Sequence, residues 1–147
     1  MFRLALAILC VCAIAGAIGL AAELFGADAL DPRGSGTLVA DDVTYEFAPT
    51  TCFISADEFV AAGTGQIDGD RFWVSASSEN LDLSVGTESA LDQPADDQLW
   101  LISTGTVDWT AAGDTVVARA DMADRRLAES EAVLGELQLR CDPAELS

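Results

Sequence analysis

Histidine and lysine are both missing from this sequence, and their absence excludes several kinds of active site. Without histidine there is no Ser-His-Asp triad, no Cys-His dyad and no zinc site with imidazole ligands. Without lysine there is neither a Ser-Lys dyad nor a Schiff base. Carboxylates are the catalytic groups that remain, and a pair of them can hydrolyse a glycosidic bond. Because 25 acidic side chains bring some pairs together by chance, the sequence favours a non-enzymatic function, with a carboxylate-based glycan hydrolase as the alternative.

Positive charge is also scarce, since 7 arginines stand against 25 acids and the net charge is −18. A surface of this charge repels the phosphates of nucleic acids and of anionic membranes, so we expect neither as a partner. The acids are spread along the chain, which is typical of a solvated surface that keeps an exported protein soluble, and cation binding is the alternative. Arginine in place of lysine, with much Ala, Gly and Asp, indicates a bacterial protein from a GC-rich genome.

The N-terminal segment has the composition of an export signal. Arg3 is followed by a run without charged side chains from Leu4 to Ala22. The length of this run lies between the about 7–15 residues of a signal-peptide core and the about 20 of a membrane span. Gly19-Leu20-Ala21 fits the rule for signal cleavage, so residues 1–22 are predicted to be a signal peptide, with an uncleaved membrane anchor as the alternative. Both place the rest of the chain outside the cytoplasm, in the periplasm or the secreted fraction.

The remaining chain divides into a linker and one domain. Residues 23–36 contain Gly, Pro, Ser and Asp without periodicity, as linkers do. Residues 37–147 are enough for a single domain with its own core. This domain contains Cys52 and Cys141, and an even number of cysteines in an oxidising compartment predicts a disulfide, with two buried thiols as the alternative.

The domain consists of short runs of alternating apolar and polar residues, separated by turn residues. The clearest pair is Phe59–Ile67 and Asp70–Ser77 around Asp68-Gly69, a dipeptide that favours a two-residue hairpin turn. A second hairpin is predicted around Ala112-Gly113, and the last strand covers Val133–Cys141. About eight or nine strands at intervals of about 8–12 residues are the pattern of an all-β fold. The predicted architecture is an antiparallel β-sandwich or a small barrel.

Three segments are less regular. The run from Val43 to Phe47 alternates, but Pro49 interrupts the pattern before the next run. Residues 99–102 are apolar on both faces and predict a central, covered strand with Trp100 in the core. Residues 124–132 contain helix-forming side chains with Arg and Glu at i,i+4 spacing, so one or two helical turns are predicted there.

Calcium is the cofactor that the acids allow, because it takes hard oxygen ligands from loops and is abundant outside cells. The best groups are Asp92, Asp96 and Asp97, on either side of Pro94, and Asp121 with Asp124, for which pairing with Arg125 and Arg126 is the alternative. The alternative for Asp96-Asp97 is an ordinary turn beside a strand. No other cofactor is expected.

Trp73 and Trp109 are the candidate ligand-binding residues. Trp73 lies in a strand whose other face carries Phe72 and Val74, so it is predicted to point away from the core. Exposed tryptophans on a sheet stack on sugar rings or anchor protein partners. The alternative is a two-sided core in which each tryptophan is buried.

These observations predict a non-enzymatic binding or interaction module of the bacterial envelope or of the secreted fraction. Its partner outside the cytoplasm is an unknown protein or glycan. Besides the glycan hydrolase, a calcium-stabilised carbohydrate-binding domain is the alternative, since calcium and sugars are both available outside cells.

Overall fold

The structure is a computed structural model and describes residues 31–143, so the predicted signal peptide or anchor, residues 1–22, lies outside the described residues. Within 31–143, no helix is long and apolar enough to cross a membrane. This described part is all-β. Its strands are β1 (Gly34–Ala40), β2 (Val43–Ile54), β3 (Phe59–Ile67), β4 (Asp70–Ser77), β5 (Leu81–Val85), β6 (Trp100–Ser103), β7 (Asp108–Ala112), β8 (Thr115–Asp124) and β9 (Val133–Cys141).

Eight of these strands form a closed antiparallel barrel. Consecutive strands from β1 to β6 pair with each other, β9 pairs with the free side of β1, and β8 pairs with β9. β6 then pairs with β8 through Leu101–Asp124 and Ile102–Ala123, which closes the ring. β7 is an outer strand that pairs with the first half of β8. The all-β prediction is confirmed, and of the two architectures that the sequence left open, the structure is the barrel.

Alternation along each strand separates the interior of the barrel from its outer surface. In β4, Phe72, Val74 and Ala76 are buried while their neighbours are partly or fully exposed. The core contains the large side chains that are almost completely buried: Leu38, Phe59, Phe72, Leu81, Leu83, Met122, Leu137 and Leu139. The interior is therefore a packed apolar core, as small barrels require.

The hairpin turns follow from residues that adopt positive φ. Asp68 and Gly69, with φ of 50° and 86°, join β3 to β4, and the strand bounds are those that the sequence predicts. Asp41 and Asp42, with φ of 51° and 60°, join β1 to β2 in the same way. β2 does not end at Pro49, because a shift of register between Pro49 and Thr51 accommodates the proline within one long strand.

Two glycines give phenylalanine rings room inside the barrel. A Cβ atom at Gly36 would overlap the ring of Phe47, and one at Gly65 would overlap the ring of Phe72. Each ring thus lies over a neighbouring strand that has no side chain at that point. The edge of the Tyr45 ring packs on Phe72 at 5.3 Å between centroids, which continues this aromatic layer.

The predicted disulfide is present and joins β2 to β9. The Cα atoms of Cys52 and Cys141 are 5.5 Å apart, and both residues are buried. β2 and β9 are the two neighbours of β1, so the bond crosses the start of β1 at one end of the barrel. We call this end the disulfide end.

The opposite end, which we call the acidic end, carries the β1–β2, β3–β4, β5–β6 and β8–β9 connections. Acids that are far apart in the sequence come together here because antiparallel strands return every second connection to the same end. The acids of these connections are Asp41, Asp42, Asp68, Glu88, Asp92, Asp96, Asp97, Glu129 and Glu131.

The prediction of helical turns at residues 124–132 is wrong, because this segment forms two turns. The Asp124 carboxylate accepts hydrogen bonds from the backbone N of Arg126 at 3.0 Å and from its guanidinium at 2.7 Å. Ser130 Oγ accepts the backbone N–H of Asp124 at 2.9 Å. These local side-chain bonds offer the backbone an alternative to a helix, and here they determine its path.

Candidate functional site

The outer surface of β4, β5 and β6 carries a row of residues with two tryptophans. Trp73 on β4 is the cross-strand partner of Ser84 on β5, and Ser84 is the partner of Trp100 on β6. The backbone N of Arg125 donates to the carbonyl of Trp100, which continues the row towards the β8–β9 loop. Since cross-strand partners lie on the same side of a sheet, these four residues share one surface.

The orientation of Trp73 agrees with the prediction that it points away from the core. Phe72 and Val74 are 0% and 1% exposed inside the barrel, while Trp73 is partly buried on the outside. The prediction that Trp100 belongs to the core is wrong. Leu101 takes the inward position of β6, so alternation places Trp100 on the outer surface, where it is also partly buried.

Asp82 lies beside the row and orients Trp100. Its Oδ1 accepts a hydrogen bond from Trp100 Nε1 at 3.2 Å and from Ser84 Oγ at 3.4 Å. Burial raises the pKa of the Asp82 carboxyl, and the hydrogen bonds from Trp100 and Ser84 and the charge of Arg125 only partly oppose this effect. We call Trp73, Asp82, Ser84, Trp100 and Arg125 the tryptophan face.

Arg125 covers the ring of Trp100 from the solvent side. Its guanidinium carbon lies 4.6 Å from the ring centroid, a cation–π contact worth about 0.5–1 kcal/mol at an exposed site. Trp100 is thus held at its nitrogen by Asp82 and on its ring by Arg125. The two contacts order this part of the tryptophan face.

The indole nitrogen of Trp73, unlike that of Trp100, is not held by a carboxylate. Its Nε1 atom is buried and has no hydrogen-bond partner among residues 31–143. Leaving a buried N–H unpaired costs about 1–3 kcal/mol. Because Nε1 is buried, the outer surface of the barrel presents part of the Trp73 ring and not its donor atom.

Trp109, the second predicted ligand-binding residue, lies elsewhere. It is on β7 and pairs with Ala118 of β8, and its ring packs edge-on against Phe59 at 5.3 Å between centroids. Phe59 is a core residue, so Trp109 covers the barrel interior at the disulfide end. A shallow groove of about 180 Å³ runs beside it along β7 and β8. The structure therefore does not bring Trp73 and Trp109 together.

The acids of the predicted calcium site all lie in the β5–β6 loop. Asp92 accepts a hydrogen bond from Ser89 Oγ at 3.0 Å, and the backbone carbonyl of Asp96 accepts one from Arg126 Nη1 at 3.0 Å. In the described part of the chain, no three His, Cys, Asp or Glu side chains are close enough to hold a metal ion. Calcium binding by Asp92, Asp96 and Asp97 stays a prediction without support from this geometry.

The tryptophan face holds one carboxyl group. The cross-strand partners of Asp82 are Ser75 and Ile102, and neither is acidic. Two carboxyl groups about 5–10 Å apart are the requirement for glycoside hydrolysis, and the pairing of β4, β5 and β6 does not place a second one opposite Asp82. What this arrangement presents is two partly buried indole rings, one cation and one carboxyl group, while the buried hydroxyl of Ser84 donates to Asp82.

Sequence reasoning missed the roles of Asp82, Ser84 and Arg125. The signal for the first two was in the alternation of Leu81, Leu83 and Val85 with polar residues, which puts Asp82 and Ser84 on one side of β5. Their position next to Trp73 and Trp100 depends on strand register. Comparisons of this chain with protein-family models, with curated proteins and with solved structures found no match.

Proposed function

We propose that this protein is a non-enzymatic binding module of the bacterial cell envelope or the secreted fraction, and that the tryptophan face contacts its partner. The single observation that carries the proposal is the row of Trp73, Ser84, Trp100 and Arg125 on the outer surface of the barrel. Trp and Arg are the residue types that supply most binding free energy in protein interfaces. The barrel beneath the row is closed and packed, so it acts as a rigid support.

A protein partner fits the tryptophan face better than a glycan does. Sugar rings stack on free indole rings, but Arg125 covers the ring of Trp100 and Asp82 binds its nitrogen. Side chains that are already ordered lose little conformational entropy when a protein surface docks on them. A glycan would have Trp73 alone as a stacking ring on this face.

Site-specific photo-crosslinking tests this proposal. A photoreactive residue replaces Ser75, which pairs with Asp82 on the tryptophan face, and in a matched control it replaces Thr44 on the outer surface of β2. We expect a discrete protein adduct in permeabilised cells, which added protein can enter, from position 75 and none from position 44. Purified wild-type protein should prevent the adduct, and the Trp73→Ala/Trp100→Ala variant should not, provided that its far-ultraviolet spectrum is unchanged.

Equal adducts at both positions, or equal competition by the double variant, would refute the role of the tryptophan face. Titration with oligosaccharides while Trp73 fluorescence is followed in a Trp100→Phe/Trp109→Phe variant tests the glycan alternative. Saturable quenching there would move the proposal to a sugar ligand.

The extracytoplasmic location is tested separately. We expect the protein in the envelope or culture-medium fraction, with Cys52 and Cys141 protected from alkylation until a reductant is added. Recovery in the cytosolic fraction with both thiols reactive would contradict export.

A further inference from the structure

The acidic end of the barrel contains a cleft of about 310 Å³ whose lining residues are half apolar and half polar. The apolar residues of its lining are Leu99, Leu101, Leu127 and Val133. Leu127 is 59% exposed and belongs to the segment that the hydrogen bonds of Asp124, Arg126 and Ser130 hold in place. A single exposed leucine is ordinary, whereas a contiguous exposed apolar patch marks a surface that binds a partner.

A second groove continues this cleft along the barrel wall. Asp41 and Val133 line both of them, and the second groove also includes Leu134, which is 53% exposed. Leu127 lines the cleft, Leu134 lines the second groove and Val133 lines both, and we call these three residues the apolar strip.

The border of the apolar strip is negatively charged. The carboxylates of Asp41, Asp42 and Glu131 line these two grooves and form no ion pair within residues 31–143. The nearby arginines are already bound. Arg126 pairs with Asp124 at 2.7 Å, and Arg119 pairs with Glu136 at 3.1 Å.

We propose that the apolar strip docks a cationic amphipathic peptide segment of a partner protein. An apolar side chain of the segment would enter the cleft between Leu99, Leu127 and Val133, and its Lys or Arg side chains would lie against Asp41 and Glu131. The charge of the border selects this occupant, because opposite charges steer association and like charges oppose it. A second copy of this chain is a poor occupant, since it carries a net charge of −18 itself.

A binding experiment with synthetic probes tests this docking site. The probe is a fluorescein-labelled amphipathic peptide of Lys and Leu, and fluorescence anisotropy is measured with the purified full chain. Peptides of equal length with Ser in place of Leu, or Gln in place of Lys, are the controls. We expect saturable binding of the Lys/Leu peptide, weaker binding at higher salt, and at least about tenfold weaker binding of both controls.

Two matched pairs of variants assign the binding to the apolar strip. Leu127→Ser should raise the Kd about fivefold to tenfold, while Leu91→Ser, at a leucine that is 94% exposed in the β5–β6 loop, should leave it unchanged. Asp41→Asn should raise the Kd about threefold, while Asp57→Asn at the disulfide end should not. Asn tolerates the positive φ of Asp41, so the β1–β2 turn is preserved.

Three results would overturn the proposal. The first is equal binding of the Lys/Leu and Lys/Ser peptides, which would mean attraction by charge alone. The second is an unchanged Kd for Leu127→Ser, and the third is an equal loss for Leu91→Ser. None of these results bears on the tryptophan face, which shares no residue with the apolar strip.

Discussion

Breaking the Cys52–Cys141 disulfide should remove a large part of the stability of this barrel. The bond closes a loop with a sequence separation of 89 residues. In the chain-entropy model, a loop of this length restricts the unfolded state by about 15 cal/mol/K, which is about 4–5 kcal/mol at 25 °C. Domains of this size are typically stable by about 5–15 kcal/mol in total. The reduced protein is therefore expected to be marginally stable.

Urea unfolding followed by tryptophan fluorescence measures this loss. With a slope of about 1.5 kcal/mol/M, the midpoint of the reduced protein should lie about 3 M below that of the oxidised protein. Reduced wild type keeps both sulfur atoms in the core. The difference between oxidised and reduced wild type therefore measures the covalent bond, and the difference between reduced wild type and Cys52→Ala/Cys141→Ala measures the packing of the side chains. Both cysteines are almost fully buried, so the double variant should lose further stability.

The control is the double variant itself, whose unfolding curve should not respond to reductant. A free energy of unfolding for reduced wild type within about 1 kcal/mol of the oxidised value would refute the loop-entropy reasoning for this protein. It would mean that the unfolded chain is already compact, or that the native bond is strained by a similar amount.

Other substitutions test the interactions that position the two surfaces. Asp124→Asn should cost about 1.5–3 kcal/mol at pH 7 because Arg126 loses its charged acceptor. The pKa of Asp124 is lowered chiefly by the hydrogen bond from Arg126, so the ion pair stabilises the fold above the pKa that Asp124 has in the unfolded chain. The stability lost in Asp124→Asn should therefore shrink as pH falls towards 3. A loss of stability that does not depend on pH would contradict the ion pair. The pKa of Asp82 is raised by burial, so ionisation of this carboxyl weakens the fold as pH rises above about 4. Asp82→Asn should gain stability relative to wild type over that range. A difference in unfolding free energy between the two proteins that stays constant from pH 3 to 7 in urea titrations would exclude this effect. Gly36→Ala should cost about 1–3 kcal/mol by overlap with the Phe47 ring, and Phe47→Leu should partly relieve the cost in the double variant; purely additive losses would show that the overlap is not the cause.

Local signals in the sequence were sufficient for individual strands and for two hairpins, β3–β4 and the predicted one around Ala112-Gly113, which joins β7 to β8. Asp68-Gly69 indicated both the turn and the bounds of β3 and β4, because a two-residue turn requires positive φ at both positions. The β1–β2 turn at Asp41-Asp42 lacks glycine and gave no such signal. The continuation of β2 through Pro49 depends on a bulge, which a proline alone does not reveal.

The closure of the barrel and the composition of the tryptophan face could not be predicted in the same way. A sandwich and a barrel have the same alternation, and they differ in the pairing of β6 with β8 and of β1 with β9, which joins residues far apart in the chain. The outward direction of Trp73 followed from alternation alone. The position of Trp73 near Trp100 depends on how β6 pairs with β5 after the long loop between them. No local rule relates the length of such a loop to the register of the strands.

The pairing of the first strand with the last has a consequence for the way this chain reaches its native state. β1 contacts β9 from Gly34–Cys141 to Ala40–Gly135, so a growing chain cannot complete its hydrogen-bonded ring until the final strand has been synthesised. Domains dominated by such distant contacts fold in milliseconds to seconds, far more slowly than helical bundles. During that interval the unpaired edges of β1 and β8 remain open to aggregation, so assistance by a chaperone should matter most before β9 arrives.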